Sequence, residues 1–320
     1  MVTKKVLVVG ASGQIGRHLI RKLTKDNYVV TAVTRNLHQK GYLLKTQSPI
    51  GFLEIIEENI FNEEKLNNII KNHDICINLV GILFERKNNT FQNIHENFPS
   101  ILSKLCKKNN IEQLIHISAL GIDNAEYSIY AKSKINGENL VKENFNRSVI
   151  LKPSICYSVD DKFSTRFMSL LNLLPIMPLY YKGRTKFTPI HVTDLVNIIY
   201  EIVKRKTTGE TIECIGPEVL TFKEIILKLL KAIDKKRLLI PLPLILAKMT
   251  AKIFEIMPNP LITVDQINLL KHDNIPSGKY KTNFDIGLNA NRIFDEEIEK
   301  YSFNWRDGGQ FSIDKFSKKN

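Results

Sequence analysis

Tyr130 and Lys134 stand four residues apart in a helix-forming stretch, a spacing that projects both side chains from one helical face. An ammonium beside a phenol favours the phenolate. The pair therefore predicts a tyrosine below its ordinary pKa of about 10, able to give or take a proton near neutral pH. In so lysine-rich a chain such a pair also arises by chance, and its place one helix after the strand ending at Ser118 gives it weight. Ser118 is the nearest hydroxyl able to polarise a substrate. Ser128 and Ser133 are alternatives, and a plain strand-end cap is the other role open to Ser118.

A second set is Gly10-Ala11-Ser12-Gly13-Gln14-Ile15-Gly16, which closes an apolar β-branched run and opens a helical one. Here Gly10 lets the strand turn, Gly13 lets backbone approach a pyrophosphate, and Gly16 lets the helix pack on the strand. Free N–H groups and the positive end of the helix dipole favour the anion, with Ser12, Gln14, Ile15 and Arg17 around it. The second strand ends in Thr34-Arg35-Asn36. An acidic residue there would bind a ribose hydroxyl, whereas Arg35 suits a 2′-phosphate, so the expected cofactor is NADP(H) rather than NAD(H), with Arg17 as a second cation. A merely solvated Arg35 is the competing possibility. Leu79, Val80 and Gly81 would floor the site after the fourth strand, and Pro153 would border it after the sixth.

These residues need a scaffold that brings strand ends together. Strand patterns at Lys5 to Val9, Val29 to Val33, Gly51 to Ile55, Ile75 to Leu79, Gln113 to Ser118 and Ser148 to Lys152 alternate with helical periodicity. The helical stretches are Gly16 to Lys25, Glu63 to Lys71, Phe91 to Lys108 and Tyr130 to Glu143. This is the pattern of an α/β, Rossmann-type, doubly wound parallel sheet. The rhythm fails near Pro153. The expected division is a nucleotide-binding domain over 1–155, completed by about 185–215 through strands near Phe187 to His191 and Thr211 to Cys214. A smaller C-terminal lobe takes 156–184 and 216–320, with a frayed tail at Ser317 to Asn320.

The composition, 43% hydrophobic and 25% charged over 320 residues, is that of a soluble globular chain, with no apolar run long enough to span a bilayer. The first strand begins a few residues after Met1, which predicts no targeting segment and a cytoplasmic protein. Cys76, Cys106, Cys156 and Cys214 lie far apart in apolar runs, as reduced core thiols do, and no metal-ligand spacing occurs. The net charge of +13 is scattered, without interleaved aromatics or a nucleic-acid-binding pattern, so nucleic acid is not expected.

Together, GASGQIG and the YxxxK of Tyr130 to Lys134 resemble the short-chain dehydrogenase/reductase superfamily in its extended or atypical branch. The phrases IHISALG, YAKSKINGE, LKPSICYSVDDKF, FTPIHVTDL and the stretch Ile240 to Leu270 are similar to the NADPH-binding accessory subunits of respiratory complex I and their bacterial relatives. The resemblance spans nearly the whole chain. It implies a sheet in the order 3-2-1-4-5-6, a bound NADPH that is structural rather than turned over, and a position near the quinone site and the membrane. Two functions follow. One is an accessory or assembly protein of complex I, peripheral on the inner face of the respiratory membrane; the other is an active NADP(H)-dependent oxidoreductase or epimerase on a small carbonyl or quinone-pathway compound.

The segment Leu238 to Leu270 opens with apolar residues broken by Pro241 and Pro243, then reads as an amphipathic helix with Lys248 and Lys252 on its polar side. It is either core of the lobe or an exposed apolar patch rimmed by Lys235, Lys236 and Arg237, suited to a membrane surface.

Overall fold

Strands rich in Val, Ile and Leu on both faces need cover on both sides, and helices supply it. The computed structural model describes residues 4–125 and 127–311. β1 (Lys5–Val9) pairs in parallel with β2 (Val29–Thr34) on one side and β4 (Ile75–Asn78) on the other. β3 (Leu53–Glu57) extends the sheet beyond β2, and β5 (Gln113–Ile117) and β6 (Ser148–Pro153) extend it beyond β4. The order is thus 3-2-1-4-5-6, continued by the strands Thr211–Cys214 and Lys281–Thr282. Strand order reverses between β1 and β4, where doubly wound sheets open a crevice at the carboxyl ends.

One face of the sheet is covered by α1 (Gln14–Lys25) and α7 (Val192–Lys204), which contribute Leu19, Ile20, Leu195 and Ile199 to a core with Val6, Val8 and Ile115. The other face takes α3 (Glu63–Ile70), α4 (Phe98–Lys108) and α5 (Ile129–Asn144), through Leu66, Phe98, Leu102 and Val141 against Leu7, Val9 and Ile150. A third core lies in the C-terminal lobe, where α6 (Ser164–Leu173), α8 (Phe222–Ala232) and α11 (Phe294–Ser302) pack Met168, Phe222 and Phe294 around Tyr157.

Several boundaries differ from the sequence reading. α2 (Leu37–Lys45) was not foreseen, because its apolar residues lack a clear helical stripe. β3 lies two residues later than expected, at Leu53–Glu57. The stretch Phe91 to Lys108 is not one α-helix: a π-helical turn, Gln92–Asn97, precedes α4. Pro99 sits at the start of α4 and brings no N–H to that junction. The chain after 216 does not stay in the lobe, since Lys281–Thr282 joins the main sheet and Leu288 and Ala290 enter its core. The tail Ser317 to Asn320 lies outside the described residues.

Leu238 to Leu270 divides between the two possibilities. In α9 (Leu244–Glu255) Ala247 and Ala251 face inward, against Tyr180 and the Ile267 of α10 (Val264–Leu269). Ile245, Met249, Ile253 and Ile256 form an outward stripe, with Ile245 76% and Ile256 85% exposed. Leu238, paired with Ile176, and Leu173 are further exposed apolar side chains of the lobe. The expected cationic rim is thinner than foreseen: Lys235 pairs with Asp307, and Arg237 donates to the carbonyls of Leu171 and Asn172. Among the described residues no helix is long and apolar enough to cross a membrane.

Candidate functional site

Val9 stands level with Val33 on β2 and Asn78 on β4, so the segments leaving all three strands meet at one edge. Gly10 turns there with φ +82°, and a Cβ on it would sit 2.9 Å from the Leu79 carbonyl carbon. On Gly16 it would lie 2.3 Å from the Ala11 carbonyl oxygen, so only glycine lets α1 approach β1 this closely. Gly13 is the N-cap of α1; no side chain caps it, and the first turn holds no acidic residue. The backbone N–H groups of that turn are free for an anion, and the glycine cradle gives it room. These residues fit a dinucleotide pyrophosphate.

The neighbours of the loop come partly from far away. Thr34 donates to Ser12 at 3.3 Å. Gln14 Nε2 donates to Ser158 Oγ at 2.7 Å, and Arg17 Nη2 reaches Asp160 Oδ2 at 2.5 Å. Burial pushes the Asp160 carboxyl up, but hydrogen bonds from His18 and Ser158 and the Arg17 charge outweigh it and hold the group at about 2. Arg17 is thus tied to an anionic partner that the sequence reading missed, and is no free second cation. Arg35 is exposed, with Nη1 3.2 Å from Asn89 Oδ1. Burial lowers the Lys40 ammonium pKa, and the charges of Lys162, Arg35 and Arg17 lower it further, which marks one cationic corner beside the end of β2. Neither Lys40 nor Lys162 carries a motif that would single it out. After β4, Asn78 Oδ1 accepts from the Val80 N–H at 3.0 Å. Gly81 lies beside Lys134, with a position for a Cβ 3.4 Å from the lysine Nζ. Pro153 ends β6, its carbonyl accepting from Leu120 at 2.9 Å.

Tyr130 and Lys134 lie on the first turns of α5. Lys134 is buried and donates to the Ile117 carbonyl at 3.2 Å. Burial pulls its ammonium down to about 8, against the opposing pull of Glu138. Tyr130 meets Phe91 and His95 edge-on at ring-centroid distances of 5.7 and 5.3 Å, and Leu269 of α10 packs in the same cluster. The expected acidic phenol is corrected. Burial, and then the carboxylates of Asp265 and Glu138, push Tyr130 well above its ordinary range.

Ser118 is also corrected. Its hydroxyl donates to Glu138, which in turn meets the fully buried Lys152 at 3.2 Å; Lys152 also meets Asp123 at 2.9 Å. The serine is a tie between β5 and α5. Of the alternatives, Ser128 caps α5 through the Ala131 N–H, and Ser133 donates to the Tyr130 carbonyl.

His95 was missed, since a lone histidine in a helical stretch carries no motif. The Ile82 N–H donates to its Nε2 at 3.2 Å, which leaves the proton on Nδ1, 2.9 Å from Ser133 Oγ. Burial, followed by the Lys134 charge, pulls His95 down to about 2, so the ring is neutral. The π-helical turn puts it there, and α5 approaches so closely that a Cβ on Gly137 would lie 1.8 Å from the His95 carbonyl oxygen.

Residues 10–166 match a family described as NAD(P)H-binding. The first half of the chain is an NAD(P)H-binding domain. Over most of its length the chain is 26% identical, across 284 residues, to the mitochondrial NADH-ubiquinone oxidoreductase 40 kDa subunit of Neurospora crassa, covering 88% of this chain and 74% of that one. It is 25% identical over 314 residues to the NADH dehydrogenase [ubiquinone] 1 alpha subcomplex subunit 9 of Arabidopsis thaliana, covering 94% and 78%. In structure it is similar to a Bacillus cereus UDP-glucuronic acid 4-epimerase solved with NAD, with a TM-score of 0.69 at 18% identity, covering 95% of this chain and all of that one. At that identity the likeness shows the fold alone. The matched region takes in the Gly10 to Gly16 loop, Tyr130 and Lys134, with Lys134 Nζ beside Gly81 in the loop that follows β4. Among the described residues no cluster suited to a metal ion occurs, and all four cysteines are free thiols.

Proposed function

We propose that this chain holds NADP(H) as a fixed part of its structure and serves as an accessory or assembly protein of respiratory complex I. The observation that carries this reading is the tie of Ser118, the hydroxyl that would polarise a carbonyl, to Glu138, beside a half-buried Tyr130 whose ring packs edge-on to Phe91 and His95 and whose phenol is pushed well above its ordinary range. A proton donor works best with a pKa near the operating pH. Here the phosphate loop is complete while the hydroxyls that would do the chemistry are not set for it. Bound nucleotide then stabilises the fold by mass action, and the surface does the work. Similarity to complex I subunits over most of the chain supports complex I as the partner.

NADP(H) is preferred over NAD(H) because Arg35, Lys40 and Lys162 gather beside the end of β2, where a 2′-phosphate would lie. The outward stripe of α9, with Lys252 exposed beside it, suits the surface of an anionic membrane. The protein would therefore sit peripherally on the inner face of the respiratory membrane.

The second reading, an active NADP(H)-dependent oxidoreductase or epimerase, is favoured by the Tyr130 and Lys134 pair on one face of α5. A bound nicotinamide would supply or accept hydride; Lys134 would hold the ribose and Tyr130 would move the proton. Purifying the protein from its native membrane fraction tests both readings. Co-purification with complex I and NADPH that stays reduced support the accessory role. A monomer free of the membrane that oxidises NADPH with a carbonyl compound overturns it.

A further inference from the structure

The N-terminus of α5 has two caps. The local one is Ser128, whose hydroxyl accepts from the Ala131 N–H at 3.1 Å. The other comes from far along the chain: Asp265, on α10, accepts from the Ile129 N–H at 2.8 Å, the Tyr130 N–H at 3.2 Å and the Ser128 hydroxyl at 2.8 Å. Both carboxylate oxygens are used, and a negative charge at the positive end of a helix adds to the bonds. Asp265 is itself held rigidly. Thr263 and Gln266 form a capping box at the start of α10, and the Val264 N–H donates at 2.7 Å to Oε1 of Glu255, the last residue of α9. Leu269, one helical turn on from Asp265, packs in the Tyr130 cluster. An unbroken path of hydrogen bonds and single residues thus runs from the exposed stripe of α9 through Glu255, Val264 and Asp265 to the backbone of Tyr130.

We infer that Asp265 is the positioning residue that sets Tyr130 and Lys134 against the nucleotide, so that docking of α9 on a surface tightens the hold on NADP(H). The docking half rests on the membrane reading above; the anchor does not. An occupied partner surface, by fixing α9, fixes α10 and the carboxylate between them.

The test is the rate at which the holoprotein loses NADPH, followed by the fall in NADPH fluorescence against an excess of competing NADP+. Runs are made with and without vesicles of phosphatidylcholine and phosphatidylglycerol, with co-sedimentation read on the same samples. Asp265→Ala should release NADPH about tenfold faster, the effect of losing charge-assisted bonds at one helix end. Asp265→Glu should recover part of it. Thr221→Ala, which removes the capping box of α8 in the lobe and lies outside this path, controls for a merely structural loss. Vesicles should slow release from the unaltered protein, and neither Asp265→Ala nor Glu255→Ala should show that slowing. Release from Asp265→Ala at the unaltered rate, or no faster than from Thr221→Ala at equal melting temperature, overturns the anchor. If the unaltered protein does not sediment with vesicles, the membrane reading fails, and the anchor is decided by Asp265→Ala and Thr221→Ala alone. If it sediments and release does not slow, the coupling is overturned.

Discussion

The phosphate loop and the start of α5 both present backbone N–H groups at a helix N-terminus, yet they are held by opposite means. At Gly13 no side chain caps α1, and glycine backbones in close contact fix the loop within seven residues of chain. At Ile129 and Tyr130 the N–H groups are taken by the Asp265 carboxylate, 135 residues or more away in sequence. The first site is left open for an anion; the second is closed by the chain's own anion. The difference teaches that a ligand site made of local backbone survives change elsewhere, whereas one aimed by distant side chains answers to the state of another lobe.

The comparison breaks first at Gly137. A methyl there would fall 1.8 Å from the His95 carbonyl oxygen, so Gly137→Ala should cost about 2 to 3 kcal/mol through overpacking, despite the better helix propensity of alanine. Urea unfolding would show it; a loss under about 0.5 kcal/mol would mean that α5 slides freely on the π-helical turn.

Lys134 offers a pH test with two opposite signs. It titrates at about 8 in the folded protein and near 10.5 when unfolded. Between these values the unfolded chain holds the extra proton, so the stability contributed by this residue rises as pH climbs from about 8 to 10.5. NADPH affinity should fall over the same range as the ammonium is lost. Lys134→Met should weaken NADPH binding at neutral pH and abolish both trends relative to the unaltered protein, as read by urea melts and fluorescence titration. Retention of either trend in Lys134→Met would assign it to another group.

Arg35→Asp should lower NADPH affinity about tenfold to a hundredfold and favour NADH, since a charge-assisted phosphate contact is replaced by a repulsive one. Equal affinity for both nucleotides in the unaltered protein would sink the cationic-corner argument. A smaller effect is expected on the lobe. Ile245→Asp with Ile253→Asp should abolish sedimentation with anionic vesicles while shifting stability by under about 0.5 kcal/mol each, because both side chains face outward. A large stability loss would show that the stripe is covered.

The smallest effect belongs to Tyr130→Phe. It keeps the ring against Phe91 and His95 and should leave NADPH affinity within about twofold, since only a hydroxyl is removed. If any turnover found is also unchanged, the proton-transfer role is lost with it.

What the sequence by itself determined is whatever depends on neighbours along the chain. The glycine spacing, the strand and helix periods, the sheet order implied by the resemblance and the Tyr130 and Lys134 spacing were all legible, because turn geometry and amphipathic faces are local properties. What only the tertiary structure decided is where charge and hydroxyl groups are directed. Ser118 faces Glu138, Arg17 is matched by Asp160, and Tyr130 is made less acidic because burial and Asp265 outweigh any help from Lys134. The exposure of α9 also lay beyond the sequence, as an apolar run looks alike whether a core or a partner covers it. Electrostatic environment is a sum over groups brought together by folding, and no spacing in the sequence encodes that sum.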